Sequence, residues 1–183
     1  MSSETKARQG ILPGWIRARV PFRYFMGVTL VGTYILMVLG SYVKAIGAGL
    51  SCPDWPTCYG TWVPFLDPSI ISNSPYTALQ IFTEWAHRGL AMVMGFMIIG
   101  AAIAAWRLGR ERAVVWSSAV AVLLLPFQII LGGLTVTENL KPIIVTAHLG
   151  TATIILVSLT VATALVWKNE TQKSTETQRR TQT

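Results

Sequence analysis

Residues 47–60 read Gly-Ala-Gly-Leu-Ser-Cys-Pro-Asp-Trp-Pro-Thr-Cys-Tyr-Gly, and residues 84–88 read Glu-Trp-Ala-His-Arg. The first segment is rich in Gly, Pro and Trp, which is typical of a loop, and it contains both cysteines of the chain. It follows a long apolar run, and the second segment opens the next apolar run with one of the two histidines. We therefore expect these segments to form the rim of a site inside a helical membrane bundle.

The composition places the chain in the membrane class. Of its 183 residues, 52% are hydrophobic and 13% are charged, and the mean hydropathy is +0.50. A soluble domain carries roughly 25% charged residues. The formal charge of +7 does not indicate nucleic-acid binding, because the basic residues flank the apolar runs and form no single face.

Four apolar runs are long enough to cross about 30 Å of hydrocarbon as helices. They predict an all-α membrane protein, a four-transmembrane-helix bundle within residues 21–167, with spans at about Tyr24–Val43, Glu84 or His87–Trp106, Val114–Leu134 and Ile143–Trp167. Residues 1–20 are predicted to be a basic tail. Residues 168–183 have no apolar face and are predicted to be disordered.

The distribution of Lys and Arg predicts the orientation of the spans. Basic residues lie before the first span, between the second and third, and after the fourth, at Arg17, Arg19, Arg23, Arg107, Arg110, Arg112, Lys168 and Lys173. The stretch between Ala45 and His87 contains neither Lys nor Arg. The positive-inside rule then places both termini in the cytoplasm and the Cys-containing loop, about residues 45–83, on the outer side.

The two halves of the bundle are similar in sequence. Leu39–Val43 near the end of the first span corresponds to Leu131–Val136 near the end of the third. Each histidine opens an even-numbered span and lies 19 positions before a Trp, Trp106 or Trp167, in sequence. This pattern predicts two helical hairpins related by a pseudo-twofold axis, with both imidazole rings at a similar depth.

His87 and His148 are the candidate metal ligands. A polar side chain within a span is costly and usually faces the bundle interior, either to bond a neighbouring helix or to serve a site. Two imidazoles that face each other across a four-helix bundle can fill both axial positions of one haem iron. A di-iron site would need a second Glu-x-x-His pair, which His148 lacks because position 145 is Val.

The charged and sulfur-containing residues of the rim each have two interpretations. Glu84 either stabilises a helix start through the macrodipole or serves as a carboxylate beside a porphyrin edge. Arg88 and Lys44 either pair with haem propionates or extend to the membrane interface. Cys52 and Cys58 are expected to form a disulfide, which is either a structural staple or a redox-active pair; the covalent haem motif Cys-x-x-Cys-His is absent from the sequence.

Four motifs together resemble the haem A synthase family in order and in topology. They are Gly-x-Gly-Leu-Ser-Cys-Pro-Asp-Trp-Pro-x-Cys-x-Gly, Glu-Trp-x-His-Arg, Leu-Gly-Gly-Leu-Thr-Val and Ala-His-Leu-Gly, within about Tyr24–Trp167. The resemblance implies a membrane oxidoreductase that converts the methyl group of haem O to the formyl group of haem A, for terminal oxidases.

The resemblance also implies roles for individual residues. His87 and His148 match the family's haem-ligating histidines, and Cys52 and Cys58 match its loop disulfide. Glu84 matches a carboxylate held to be important in catalysis. A carboxylate at that place would stabilise a carbocation-like intermediate before water adds.

Members of the family usually have eight spans in two homologous halves, one for substrate haem and one for a resident haem b that relays electrons. The four predicted spans match one half. Either several copies supply both sites, or a different partner supplies the second haem, or the chain binds one haem and does not make haem A. We expect a homo-oligomer, a dimer or higher, because symmetric association is common. Haem O synthase and a quinol or other electron partner are further expected partners.

Two other functions are compatible with the same residues. One is a bis-His membrane cytochrome b that exchanges electrons with quinol, and the other is a haem-binding assembly factor for an oxidase. Glu84 distinguishes them from the synthase, because a pure electron carrier has no need of a carboxylate at that place.

Overall fold

Four long helices make up most of the computed structural model, which describes residues 22–181. They are α1 (Phe22–Ala45), α2 (Ala78–Arg107), α3 (Arg112–Thr137) and α4 (Pro142–Thr181). Each contains a stretch long and apolar enough to cross a membrane, with mean hydropathies between 1.7 and 2.2. The predicted all-α, four-span architecture is confirmed. The predicted tail at residues 1–20 lies outside the described residues.

The helices pack in chain order around a ring. Each helix contacts the next, and α4 closes the ring by packing against α1. Consequently α2 and α4, the two helices that carry the histidines, lie diagonally opposite each other. We call the end with the α1–α2 and α3–α4 connections the loop end of the bundle.

Two of the three apolar clusters among the described residues fill the part of the bundle away from the loop end, and the third packs around the disulfide cysteines. One cluster at the far end contains Phe22, Met26, Ala101, Ala105, Val114, Ala162 and Val166, and a second in the middle contains Ile98, Ala121, Leu125, Ile155 and Leu159. Alanines in both clusters allow close helix contact. Neither cluster includes a histidine, so the two rings lie above the close-packed core.

Large apolar side chains cover the outside of the bundle. Phe96, Trp116 and Leu123 are 70%, 68% and 66% exposed, respectively. Such side chains on every helix would be unfavourable in water but are suited to contact with lipid tails. Together with the four apolar helices, they characterise an integral membrane protein.

α2 begins about two turns earlier than the sequence predicted. Thr77 forms a capping box with Gln80, in which each side chain accepts a hydrogen bond from the other residue's backbone N–H. This satisfies donors that a helix start would otherwise leave free. The Gln80 amide also donates to the Ile46 carbonyl at 2.9 Å, which ties the two ends of the Cys loop, residues 46–77, together. As a result, His87 lies well inside a continuous helix rather than at its start.

The end of α4 also differs from the prediction. The sequence predicted disorder from Lys168, whereas the structure continues the helix to Thr181. Arg110 in the α2–α3 connection forms an ion pair with Glu170 at 2.9 Å, and the Asn169 amide donates to Glu111 at 2.7 Å. These contacts hold the first turn beyond the span, and the polar residues that follow are compatible with helix.

Candidate functional site

The two histidines lie on the diagonal helices α2 and α4, near the loop end of each. Each ring fits against a glycine of the preceding helix. A Cβ atom added to Gly40 would stand 2.8 Å from Cε1 of His87, and one added to Gly132 would stand 3.3 Å from Cε1 of His148. Both glycines therefore provide room for an imidazole against the helix backbone.

This arrangement agrees with the internal repeat. Gly40 and Gly132 occupy the same place in the two similar segments, Leu39–Val43 and Leu131–Val136. In each hairpin, the glycine of the first helix faces the histidine of the second. The similarity between the two halves thus extends from sequence to the packing of the rings.

The ring nitrogens are not fully satisfied by the protein. Nδ1 of His87 and Nδ1 of His148 are buried and have no hydrogen-bond partner among residues 22–181. The backbone carbonyls of Leu36 and Gln128 lie beside the rings, but neither reaches hydrogen-bond geometry with Nδ1. The protein alone therefore offers these nitrogens at most weak partners, so a ligand bound there would improve their pairing.

These features fit a haem. The donor set is two imidazoles on facing helices, which is the set that ligates haem iron at both axial positions. Gly40 and Gly132 provide space beside each ring. Nδ1 of His87 and Nδ1 of His148 have no partner among the described residues, so the imidazoles are available to a ligand.

Glu84 makes the two sides of the site chemically different. It lies one turn before His87 on α2 and is only 6% exposed. One of its carboxylate oxygens accepts a hydrogen bond from Nε of Arg88 at 2.9 Å. The place three residues before His148 is held by Val145, so the second hairpin has no equivalent carboxylate.

Arg88 holds the Cys loop. Its Nη1 atom donates to the carbonyl oxygens of Asp54 and Thr57, both at 2.6 Å, and Nη2 donates to that of Cys52 at 3.0 Å. The sequence did not anticipate this role, because it depends on how the loop folds. The interaction of Arg88 with a haem propionate stays a prediction. Lys44, the other predicted propionate partner, is exposed in the last turn of α1.

Inside the loop, the cysteines and Asp54 form a compact turn. The sulfur atoms of Cys52 and Cys58 lie at bonding distance and are buried. Asp54 accepts hydrogen bonds from the Thr57 hydroxyl and from the backbone N–H groups of Tyr59 at 2.6 Å and Gly60 at 3.0 Å. Partial burial raises the pKa of Asp54, but these hydrogen bonds outweigh it and hold the pKa below 3.8.

The loop contacts both hairpins. The Trp55 ring packs over Gly133 of α3, where an added Cβ would stand 3.2 Å from the ring. Leu140, in the α3–α4 connection, packs against Gly49, where an added Cβ would stand 3.2 Å from the leucine side chain. On the other side, the Trp85 indole of α2 donates to the Trp62 carbonyl at 2.7 Å. The loop therefore extends across the end of the bundle, from α2 to α3.

Gln128 is a site residue that the sequence reasoning missed. Its Nε2 atom lies 3.4 Å from Nε2 of His148, and its Oε1 atom is buried without a partner among the described residues. The signal was present, since an amide in the middle of an apolar span is as costly as a histidine and calls for the same explanation.

The chain is similar to proteins of haem biosynthesis. The family model for cytochrome oxidase assembly proteins (COX15-CtaA) matches residues 23–183. A haem A synthase of Shewanella oneidensis is 34% identical over 135 residues, which cover 69% of this chain and 40% of that protein. A haem A synthase of Bacillus licheniformis is 25% identical over 151 residues, which cover 81% of this chain and 46% of that protein.

A second group of relatives has a different name. A protoheme IX farnesyltransferase of Halobacterium salinarum is 31% identical over 147 residues, which cover 80% of this chain and 29% of that protein. The chain thus spans less than half the length of the curated relatives described, and less than a third of this one.

The Arg88→Lys variant should loosen the Cys loop. A lysine ammonium is a compact charge that cannot span Glu84 and three carbonyl groups as the guanidinium does. Hydrogen bonds to charged groups contribute about 1.5–3 kcal/mol, so we expect at least about tenfold faster amide exchange in residues 50–62. Hydrogen exchange with mass spectrometry in lipid nanodiscs measures this.

Arg107→Lys is the matched control, because Arg107 is exposed at the other end of α2. It should leave amide exchange in the loop unchanged. Neither variant should change amide exchange in the core of α4. Equal protection of residues 50–62 in wild type and Arg88→Lys would show that Arg88 does not hold the loop.

The order of the Cys loop should depend on pH only in the acid range. A carboxyl whose pKa is lower in the folded state stabilises that state above the unfolded pKa, and the effect is lost as the pH falls through the folded pKa. Since Asp54 has a pKa below 3.8, protection of the Tyr59 and Gly60 amides should hold down to about pH 4 and fall below it. Hydrogen exchange, corrected for the intrinsic rate at each pH, measures this.

Asp54→Asn should abolish the pH dependence. It should also lower the protection of the Tyr59 and Gly60 amides about five-fold, because a neutral acceptor binds the two N–H groups more weakly. Asp67→Asn is the control, because Asp67 caps a separate short helix, Pro68–Asn73, in the same loop. A loss of protection that begins near neutral pH would contradict the assignment to Asp54.

Proposed function

Because the chain belongs to the cytochrome oxidase assembly protein family, we propose that it is a haem A synthase that oxidises the methyl group of haem O to the formyl group of haem A. One observation carries this proposal: two glycine-cradled histidines on diagonal helices lie beneath a loop, with a buried carboxylate on one side only. The similarity to haem A synthases over most of the chain supports it.

In this proposal, His87 and His148 hold the iron of a haem between α2 and α4. A bound haem supplies one-electron redox chemistry at its iron. Gly40 and Gly132 keep the helix backbones at the distance that the rings require. Cys52 and Cys58 close the covering loop, and Arg88 fixes that loop to α2.

Glu84 is the proposed catalytic residue. Its carboxylate is buried and held by Arg88, so it has a fixed place one turn from His87. Oxidation of a methyl group with water as the oxygen source releases electrons and protons and builds positive charge at the carbon. A preorganised carboxylate stabilises that charge and can accept a proton at Oε1 or Oε2. The electrons require an external acceptor, which we propose is quinone, with a haem b as a one-electron relay to it.

A second copy of the chain is the proposed source of the missing half. The chain spans less than half the length of the haem A synthases to which it is similar. Two copies would supply two histidine pairs, one for substrate haem O and one for a resident haem b. The apolar outer faces of the helices, such as those around Phe96 and Trp116, offer surfaces for such contact within the membrane.

Haem O synthase is the proposed supplier of substrate. Several relatives are named protoheme IX farnesyltransferase, and a region similar to this chain forms about a third of each. In those relatives, one chain contains both the farnesyltransferase and a region similar to this chain, which would bring formation of haem O and its oxidation together. We also propose that the basic α2–α3 connection faces the cytoplasm and the Cys loop the outer side, since Arg107, Arg110 and Arg112 cluster at that connection.

A bis-His membrane cytochrome b for electron transfer is the alternative function, and the paired rings themselves favour it. It explains the histidines and glycines but gives no use to the buried Glu84. A haem-binding assembly factor for an oxidase is compatible with the family membership but leaves Glu84 equally unexplained.

The glycines beside the rings should be required for haem binding. In Gly40→Ala, the new Cβ would stand 2.8 Å from His87, so the ring must shift, and haem content should fall about tenfold. Gly132→Ala, at 3.3 Å from His148, should have a smaller effect in the same direction. Soret absorbance per purified chain measures both.

Gly27→Ala is the matched control, because nothing lies within 4 Å of a Cβ at this helical position. It should bind haem like the wild type. Full haem content in Gly40→Ala would contradict the placement of the haem at His87.

The Glu84→Gln variant should separate the synthase from the carrier. With haem O synthase co-expressed, the wild type should yield haem A in extracted pigment. Glu84→Gln should bind haem but form haem A about 100-fold more slowly, as on loss of one electrostatic stabiliser of a transition state. Mass analysis of the pigment and the haem-to-chain ratio provide the measurement.

Retained conversion in Glu84→Gln would remove Glu84 from catalysis. If the haem-loaded wild type yielded only haem B and haem O, the synthase proposal would fail and the electron carrier would replace it.

A further inference from the structure

We propose that Gln128 is a positioning residue for the His148 side of the haem site. Its amide fixes the imidazole ring before haem binds and would remain in contact with the ring afterwards. The inference rests on the proposed haem binding by His87 and His148, but it does not depend on whether the chain oxidises haem O.

Gln128 differs in how it is satisfied from three other polar residues of α3. Ser118, Thr135 and Thr137 each donate a hydrogen bond to a carbonyl of their own helix. Such back-bonding makes a hydroxyl inexpensive within a membrane span. The Gln128 side chain instead faces the site, where Oε1 is buried without a partner among residues 22–181. An amide in this setting requires a specific explanation.

His148 is the residue that Gln128 contacts. The Gln128 Nε2 atom lies 3.4 Å from Nε2 of His148, at the long end of hydrogen-bond distance. The backbone carbonyl of Gln128 lies beside the same ring, and Gly132, one turn further along α3, supports its Cε1 edge. A single turn of α3 therefore surrounds the imidazole with three contacts.

The amide suits a site in which Nδ1 of His148, the buried nitrogen without a partner among residues 22–181, would bind the iron. Nε2 would then carry the proton, and the amide, with its oxygen in place of its nitrogen towards the ring, would accept that hydrogen bond. Removal of the amide would leave this N–H without an acceptor and weaken the hold on the haem.

The first hairpin provides an internal comparison. Leu36 lies four residues before Gly40, as Gln128 lies four residues before Gly132, and its backbone carbonyl is beside the His87 ring. The two hairpins therefore share the glycine and the carbonyl but differ in this side chain. His87 has Glu84 as its polar neighbour towards the loop end, whereas His148 has Gln128 towards the middle of the membrane.

The test is the rate of haem loss from the purified full chain in nanodiscs to excess apomyoglobin, together with the reduction potential of the bound haem. Gln128→Leu, which copies the residue at position 36, should release haem about tenfold faster or more and shift the potential. Leu36→Gln should slow release by giving His87 a similar amide. If Gln128→Leu does not fold, Gln128→Met, which is closer in shape, replaces it.

Ser118→Ala is the control on the same helix. The Ser118 hydroxyl donates a hydrogen bond to the Val114 carbonyl at 2.9 Å and lies away from the histidines. This variant should leave both readouts unchanged. Equal release rates and potentials in wild type, Gln128→Leu and Ser118→Ala would overturn the role of Gln128 while leaving haem binding intact. A wild type that binds no haem would overturn the haem site itself, and this inference with it.

Discussion

The buried guanidinium of Arg88 is the interaction on which the rest of the site depends. It links the carboxylate of Glu84 on α2 to three backbone carbonyls of the Cys loop. A charged group in so apolar a place is stable only when its donors are matched, and the loop supplies most of the acceptors. The same bonds give Glu84 its fixed orientation. The fold of the loop and the orientation of the carboxylate therefore depend on the same guanidinium, although the two lie on different segments of the chain.

The two hairpins share a frame and differ in their polar groups. The shared frame is a glycine that faces a histidine on the next helix. Upon it, the first hairpin adds Glu84 and the long loop, while the second adds Gln128 and a connection of only a few residues. A flat ligand between the rings would meet a charge near one edge and a neutral amide deeper on the other side. Such asymmetry lets a symmetric pair of ligands direct chemistry to one part of a bound molecule.

The sequence predicted the features that hydropathy and the cost of buried polar groups determine. Four spans, the bundle and the two facing histidines belong to this class, because lipid leaves few alternatives. The start of α2 was missed because the Thr77–Gln80 capping box is a local polar signal that hydropathy does not register. The partners of Arg88 required the folded loop, which 14 residues rich in Gly and Pro do not specify by pattern. The helix beyond Trp167 depends on ion pairs with another connection, such as Arg110 with Glu170.

The contacts of the loop with both hairpins limit how the bundle can open. Trp55 rests on Gly133 and Leu140 on Gly49, while Arg88 anchors the same loop to α2. The loop therefore holds the two hairpins together at this end. To separate them, the Trp55 indole must leave Gly133 and the Leu140 side chain must leave Gly49. A molecule as broad as a porphyrin would pass more easily from the side, between helices whose outer faces already meet lipid. A membrane-dissolved substrate could then be exchanged without exposing the histidines to water.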